Sequence, residues 1–266
     1  MELHEKRLVV KVGTSTVTNE AGKPDFRSLR RLAEVLSDLR NQGMEIVLVS
    51  SGAIAVGTNR LGLPERPRLM GMKQAAAAVG QCRLMYWYDR FFGEYDRTIA
   101  QILLNAEDIG QEEKKENLTN TFDALLSMGV IPVVNENDSV SYTEIESEDR
   151  LFGDNDRLSA VTAVLCRARR LAILSDIDGL YDADPRFHPG ARLLPRVETV
   201  DEAVKHLAGG AGSRRGTGGM RTKLQAAEIA MAQGIDTVIL NGRKPERLYD
   251  FLAGRPAGTL FPGRAR

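Results

Sequence analysis

Short apolar, β-branched runs alternate along this chain with amphipathic helical patterns, and that alternation restricts the fold more than any other feature. The runs are Leu8–Val12, Ile46–Val49, Thr98–Leu104, Val130–Val134, Leu171–Leu174 and Thr237–Leu240. Each is short enough for a strand and too apolar for one with a wet face. Between the first two, Asp25 is placed to cap a helix whose Leu29, Leu32, Ala33, Leu36 and Leu39 recur at helical spacing, with Gly43 as its stop. Further helical patterns cover Leu69–Phe92, Thr119–Ser127, Asp154–Arg167 and Met220–Gln233. Strands joined through helices pair in parallel and carry helices on both faces. The expected fold is therefore α/β. The polar, weakly periodic segment Ser139–Phe152 reads as an exposed hairpin or lid.

Ligands of such sheets collect at the carboxyl ends of the strands. Those ends read Gly13-Thr14-Ser15, Ser51-Gly52-Ala53, Asn135-Glu136-Asn137-Asp138 and Ser175-Asp176. All are small, polar or acidic. The glycine-richest stretch, Gly209–Gly219, leads into a helix carrying Lys223.

Several chemistries are excluded. The chain has no G-x-x-x-x-G-K-[ST], no G-x-G-x-x-G after a strand, no H-E-x-x-H, no C-x-x-C and no G-x-S-x-G. Its three histidines, His4, His188 and His206, lie away from every strand-end motif. Cys82 and Cys166 sit in apolar helical patterns and read as two buried thiols in a reducing compartment. Lys plus Arg and Asp plus Glu both total 36, so the basic excess of a nucleic-acid binder is missing. The Arg-rich pieces Arg27–Arg40 and Cys166–Arg170 read as solvated helix faces. No apolar run approaches the roughly 20 residues a membrane helix needs, and the start MELHEKRLVV does not read as a signal peptide. The expected location is the cytoplasm.

Phosphoryl transfer to a carboxylate suits a site without a placed histidine or cysteine, because the nucleophile is already ionised at neutral pH. The obstacle is repulsion between two anions, which positioning and positive charge must overcome. Lys11, at the end of the first run, and Lys223 supply that charge. Amides at Gly13–Ser15 and near Gly218–Met220 can receive phosphate oxygens. Taken singly, Lys11 is compatible with snorkelling, GTGGMRTK with a linker and Ser51-Gly52-Ala53 with a plain helix start. In Gly153-Asp154-Asn155-Asp156, however, two acids and an amide crowd one helix start. Capping needs only one of them.

Six segments in order resemble the amino acid kinase family, and within it the glutamate 5-kinase branch: VVKVGTS (Val9–Ser15), VSSGAIAVG (Val49–Gly57), VVNENDSV (Val133–Val140), FGDNDRLSA (Phe152–Ala160), LSDIDGLYDADP (Leu174–Pro185) and GTGGMRTKL (Gly216–Leu224). The resemblance spans about Arg7 to Phe261. It implies a three-layer αβα sandwich around an open, mostly parallel sheet of about eight strands. A single domain is expected over 1–266, with acceptor binding in roughly 1–170 and nucleotide binding in roughly 171–266. The implied ligands are ATP, Mg²⁺ and L-glutamate, and the product is L-glutamyl 5-phosphate, at the entry to proline biosynthesis.

Carried over by position, the resemblance makes Lys11 and Lys223 the lysines on the transferred phosphate and Asp156 the carboxylate that orients them. It puts the acceptor on Ser51, Gly52, Ala53, Asn135, Asp138, Asp154 and Asn155. It puts ATP on Lys11, Gly13, Thr14, Ser15, Ser175, Asp176, Thr217, Gly218, Gly219, Met220 and Lys223. No residue is assigned to the metal. L-Proline is implied as a feedback inhibitor, and a homodimer or homotetramer as the assembly. Many relatives add a C-terminal PUA domain, an RNA-binding module. The expectation for this chain is a single domain without that module, and no RNA binding is expected. Arg221 stands where relatives carry a small residue and is expected to face solvent. Aspartokinases, N-acetylglutamate kinases, uridylate kinases and a non-catalytic amino-acid sensor are the rival readings. Asp138 and Asp154 suit a free ammonium, and retention of both lysines argues against a sensor.

Overall fold

A computed structural model describes residues 2–19, 22–140, 155–208 and 219–264. In chain order they form β1 (His4–Val12), α1 (Thr14–Val17), α2 (Phe26–Asn41), β2 (Glu45–Ser50), α3 (Ala53–Arg60), α4 (Met70–Gly93), β3 (Ile99–Leu104), α5 (Ala106–Gly110), α6 (Glu112–Ser127), β4 (Ile131–Glu136), α7 (Asn155–Leu165), β5 (Ala168–Ser175), α8 (Glu202–Leu207), α9 (Met220–Ala232), β6 (Asp236–Asn241), α10 (Arg247–Leu252) and β7 (Thr259–Phe261). All six expected strands are present, and β7 makes seven among the described residues.

The strand order is β3-β4-β2-β1-β5-β6-β7, parallel except for β7, which runs antiparallel to β6. The chain builds outward from β1 in one direction through β2 and in the other through β5. That reversal places a crevice above the carboxyl end of β1.

Side chains of a strand alternate between faces, and here both faces are apolar. Leu8, Val10 and Val12 pack with α2, α4 and α10 on one side. Val9 packs with α6, α7 and α9 on the other. Burial on both faces accounts for continuous apolar runs rather than alternating ones. The three-layer expectation holds.

Two local readings are corrected. Cys166 is buried, but Cys82 is exposed, because the face of α4 that carries it turns away from the core and towards a surface cavity. The segment Cys166–Arg170 is not a helix face: it enters β5, where Arg169 pairs with Asp236 at 3.1 Å and Arg167 with Asp123. Arg27, Arg30 and Arg31 are exposed on α2, as expected. The expected lid falls almost wholly in 141–154, outside the described residues.

Candidate active site

Lys11 sits in a row of the sheet where its neighbours are apolar. Register places it between Val49 of β2 and Ile173 of β5, with Val134 and Ile239 beyond. The pleat sends this row towards α7 and α9. Lys11 is only 5% exposed, so its ammonium needs a partner. Asp156, in the first turn of α7 and 0% exposed, provides it: Lys11 Nζ lies 2.5 Å from Asp156 Oδ1. Lys223, in the first turn of α9 and also buried, reaches Asp156 Oδ2 at 3.0 Å. Thr222 donates its hydroxyl to the same Oδ2 at 2.9 Å.

One carboxylate thus holds two ammoniums and a hydroxyl. Burial pushes the Asp156 carboxyl up, but Lys11 and Lys223 outweigh it and hold it down at about 2. Two cations against one anion leave an excess positive charge under the crevice, where an incoming phosphoryl group would be welcome.

The residue before Asp156 faces the ends of β2 and β4. Asn155 donates through Nδ2 to the Ser50 carbonyl at 2.7 Å, to Asn135 Oδ1 at 2.8 Å and to Ser51 Oγ at 3.0 Å. Asn135 in turn donates through Nδ2 to Gln81 Oε1 on α4, at 2.9 Å. This amide chain ties α7, β4, β2 and α4 together. Gly52 has φ +103°, and a Cβ there would sit 2.8 Å from Val17 Cγ2, so the turn into α3 admits only glycine. Beside this chain lies a cavity of about 420 Å³ lined by Ala53, Gln81, Cys82, Glu136, Asn137 and Asp138. Burial raises the Asp138 carboxyl above the ordinary aspartate range, and Arg66 pulls in the opposite direction.

A second cavity, about 260 Å³, lies at the carboxyl end of β5. Ser175, Asp176, Leu180, Gly219, Met220 and Lys223 are among its walls. Gly219 is the N-cap of α9, so the amides of that helix start open into it. Gly13 lies against Lys11, with a Cβ position 3.7 Å from Lys11 Nζ. Thr14 begins α1 with Ser15 behind it. The Asn155-Asp156 pair links the two cavities: Asn155 bonds through Asn135 to Gln81 in the wall of the first, and Asp156 holds Lys223, which lines the second.

The structure therefore gathers Lys11, Asp156 and Lys223 in one buried group, and Ser51, Asn135 and Asn155 in one hydrogen-bonded group. Asp154, Thr217 and Gly218 lie outside the described residues. Arg221 is exposed, as expected. Sequence reading did not single out Gln81 or Thr222. Thr222 stands inside a quoted motif, whereas Gln81 had only a helical pattern around it and no signal of its own.

The amino acid kinase family matches residues 6–241. Glutamate 5-kinase of Clostridium perfringens is 51% identical over 96% of this chain and 95% of its own length, and that of Listeria welshimeri 46% identical over 98% and 94%. Among solved structures, carbamate kinase from Giardia lamblia bound to AMP-PNP superposes with TM-score 0.68 at 15% identity, over 97% of this chain and 98% of that one. Isopentenyl phosphate kinase of T. acidophilum superposes with TM-score 0.65 at 18% identity, over 96% and 99%. These two likenesses speak for the fold, which agrees with the sequence relatives, and the chain accordingly belongs to the amino acid kinase family, in the branch of the glutamate 5-kinases.

Proposed function

We propose that this protein transfers the γ-phosphoryl group of ATP to the side-chain carboxylate of L-glutamate, giving L-glutamyl 5-phosphate and ADP at the start of proline biosynthesis. The buried Lys11–Asp156–Lys223 group between two cavities carries the reading. Relatives named glutamate 5-kinase supply the acceptor. A carboxylate oxygen of glutamate attacks the γ-phosphorus. The new O–P bond forms as the bond to the β,γ-bridging oxygen breaks, and ADP leaves with that electron pair. No proton moves, so no general base is required. Lys11 and Lys223 neutralise the equatorial oxygens, and Asp156 fixes both ammoniums so that little reorganisation is needed.

ATP fits the cavity at Ser175-Asp176, with its phosphates towards Gly13, Thr14, Ser15, Gly219 and the start of α9 (Met220–Lys223); Thr217 and Gly218, expected to join them, lie outside the described residues. Glutamate fits the cavity beside Ser51, Gly52, Ala53, Asn135, Asp138 and Asn155, its ammonium on Asp138 and its α-carboxylate on Ser51 and nearby amides; Asp154, expected to join them, lies outside the described residues. This divides the chain into an acceptor part, roughly 1–170, and a nucleotide part, roughly 171–266. Mg²⁺ fits as an ion carried on the nucleotide's phosphates and water, because no three His, Cys, Asp or Glu gather among the described residues. It would supply charge neutralisation. Proline fits as a competitor for the glutamate cavity, and a homodimer or homotetramer as the assembly. The reading also goes with a cytoplasmic location, and no helix of the described residues is long and apolar enough to cross a membrane.

The test is hydroxylamine trapping of acyl phosphate with Mg·ATP and L-glutamate, beside L-aspartate and N-acetyl-L-glutamate. Hydroxamate with glutamate alone is the expected result. Hydroxamate with another acid would move the acceptor, and none with any acid would overturn the kinase reading.

A further inference from the structure

We propose that Thr259 of β7 is a positioning residue for the nucleotide: it fixes the segment that walls the cavity at the end of β5, although Thr259 itself stands behind that wall. The inference rests on the nucleotide reading given above. Ile177, Leu180, Tyr181 and Arg186 line the cavity. They follow β5 in a stretch outside every helix and strand. Such a stretch has no ladder of its own to hold its backbone groups.

Thr259 supplies the hold. Leu180 N donates to Thr259 Oγ1 at 2.8 Å, and Thr259 Oγ1 donates to the Leu194 carbonyl at 2.6 Å. Leu194 N donates back to the Leu180 carbonyl at 2.8 Å. The three residues close a hydrogen-bonded ring in which one hydroxyl both accepts and donates. Thr259 is fully buried and Leu180 nearly so, so no bulk water stands in for a lost partner.

Packing does not ask for a hydroxyl here. Thr259 pairs with Ile239 of β6 and shares its face of β7 with Phe261, and both neighbours are apolar and fully buried. The approach is close as well. A Cβ on Gly179 would sit 2.5 Å from Thr259 Oγ1, and one on Gly258 2.9 Å from the Asp178 carbonyl oxygen. Two glycines thus let the segment lie against β7, and the hydroxyl fastens it there. Asn241, at the end of β6, donates to Asp178 Oδ1 at 3.0 Å. That bond fixes the start of the segment and leaves Leu180 to Thr259.

A shift of the Leu180 backbone moves a wall of the nucleotide cavity. It leaves in place the group of Ser51, Asn135 and Asn155, which bond to one another and not to this ring. The signature is therefore a selective loss of nucleotide affinity.

The experiment titrates Mg·ATP and, separately, L-glutamate calorimetrically into the full chain and into Thr259→Val, Thr259→Ser and Gly179→Ala. Circular dichroism checks that each variant folds. Thr259→Val keeps the shape and removes the hydroxyl. Expected is Mg·ATP binding about tenfold weaker in Thr259→Val and recovered in Thr259→Ser, with glutamate binding unchanged throughout. Gly179→Ala pushes the segment off the hydroxyl without removing it. It should weaken Mg·ATP alike, and it decides the matter if Thr259→Val does not fold. Mg·ATP bound as tightly by the folded variants as by wild type, no recovery in Thr259→Ser, or Mg·ATP and glutamate weakened in parallel would overturn the positioning role. A wild type that binds glutamate but no Mg·ATP would overturn the nucleotide reading, and this inference with it.

Discussion

Lys11 and Asp156 meet at 2.5 Å where neither touches bulk water, one rising from a strand and the other descending from a helix start. Lys11 occupies a place in the sheet flanked by Val49 and Ile173, so an apolar residue would fit it. The lysine is there against the demands of packing, which is the mark of a residue kept for its charge. Lys11→Met should preserve the fold and reduce kcat by about a hundredfold to a thousandfold or more. Lys223→Ala should do likewise. Calorimetric glutamate binding should survive in both. Loss of binding together with turnover would place the lysines in acceptor recognition instead.

Asp156→Asn should be far less tolerated than Lys11→Met. It leaves two buried ammoniums without their counter-charge, a change that costs about 3–5 kcal/mol. Its pH dependence has a definite sign. The folded-state carboxyl is held at about 2, below its unfolded value near 4. Its stabilising contribution, about 2 kcal/mol, is therefore complete above roughly pH 4 and is lost as pH falls towards 2. Chemical denaturation of wild type and Asp156→Asn across this window should show the two converging at the acid end. A constant difference down to pH 2 would mean that the lysines do not set this carboxyl.

Gln81 fixes which way Asn135 points. By accepting from Asn135 Nδ2, it leaves Asn135 Oδ1 to receive Asn155. Gln81→Met removes the acceptor while keeping volume. The expected effect is a rise of about tenfold in the KM for glutamate, with the KM for ATP unchanged. Gln81→Glu still accepts at that atom and should restore most of the loss. If both substitutions weaken glutamate equally, Gln81 acts through packing alone.

Burial raises the Asp138 carboxyl above the ordinary aspartate range. In the proposed acceptor site, the substrate ammonium calls for this carboxyl in its ionised form. On acidification, kcat/KM for glutamate should fall at a higher pH than a free aspartate would dictate, as the carboxyl takes up its proton. Asp138→Asn should lower kcat/KM about tenfold or more and flatten that acid limb. An unchanged acid limb in the variant would assign it to another group.

The layers of this fold were legible because both faces of every central strand are buried, which writes itself as unbroken apolar runs. Strand ends were legible for the same reason: Lys11, Asn135 and Ser175 stand where each run stops. The edge strand β7 was not, because three residues pairing antiparallel with β6 carry too short a pattern to register. Cys82 misled because an alanine-rich helix such as α4 looks apolar all round, whichever face it buries. Gln81 was invisible because its part depends on α4 crossing beside β4, a tertiary fact with no local spacing.

The seat of α4 against α3 depends on two glycines. α3 and α4 pack so closely that a Cβ on Gly57 would sit 1.7 Å from the Ala76 carbonyl oxygen, and one on Gly80 1.8 Å from that of Ala53. Both obstacles are backbone, which cannot rotate aside. A methyl group must therefore push the helices apart. Ala53 opens α3 and walls the 420 Å³ cavity, and Gly80 immediately precedes Gln81. Gly80→Ala should thus act on stability and on the acceptor cavity together. The expected loss is about 3 kcal/mol in denaturant unfolding, with a raised KM for glutamate in the protein that remains folded. Gly71→Ala, on the same helix with nothing within 4 Å of its Cβ position, is the control and should be neutral or mildly stabilising. Equal effects from the two substitutions would mean that the helix crossing is not what fixes the cavity wall.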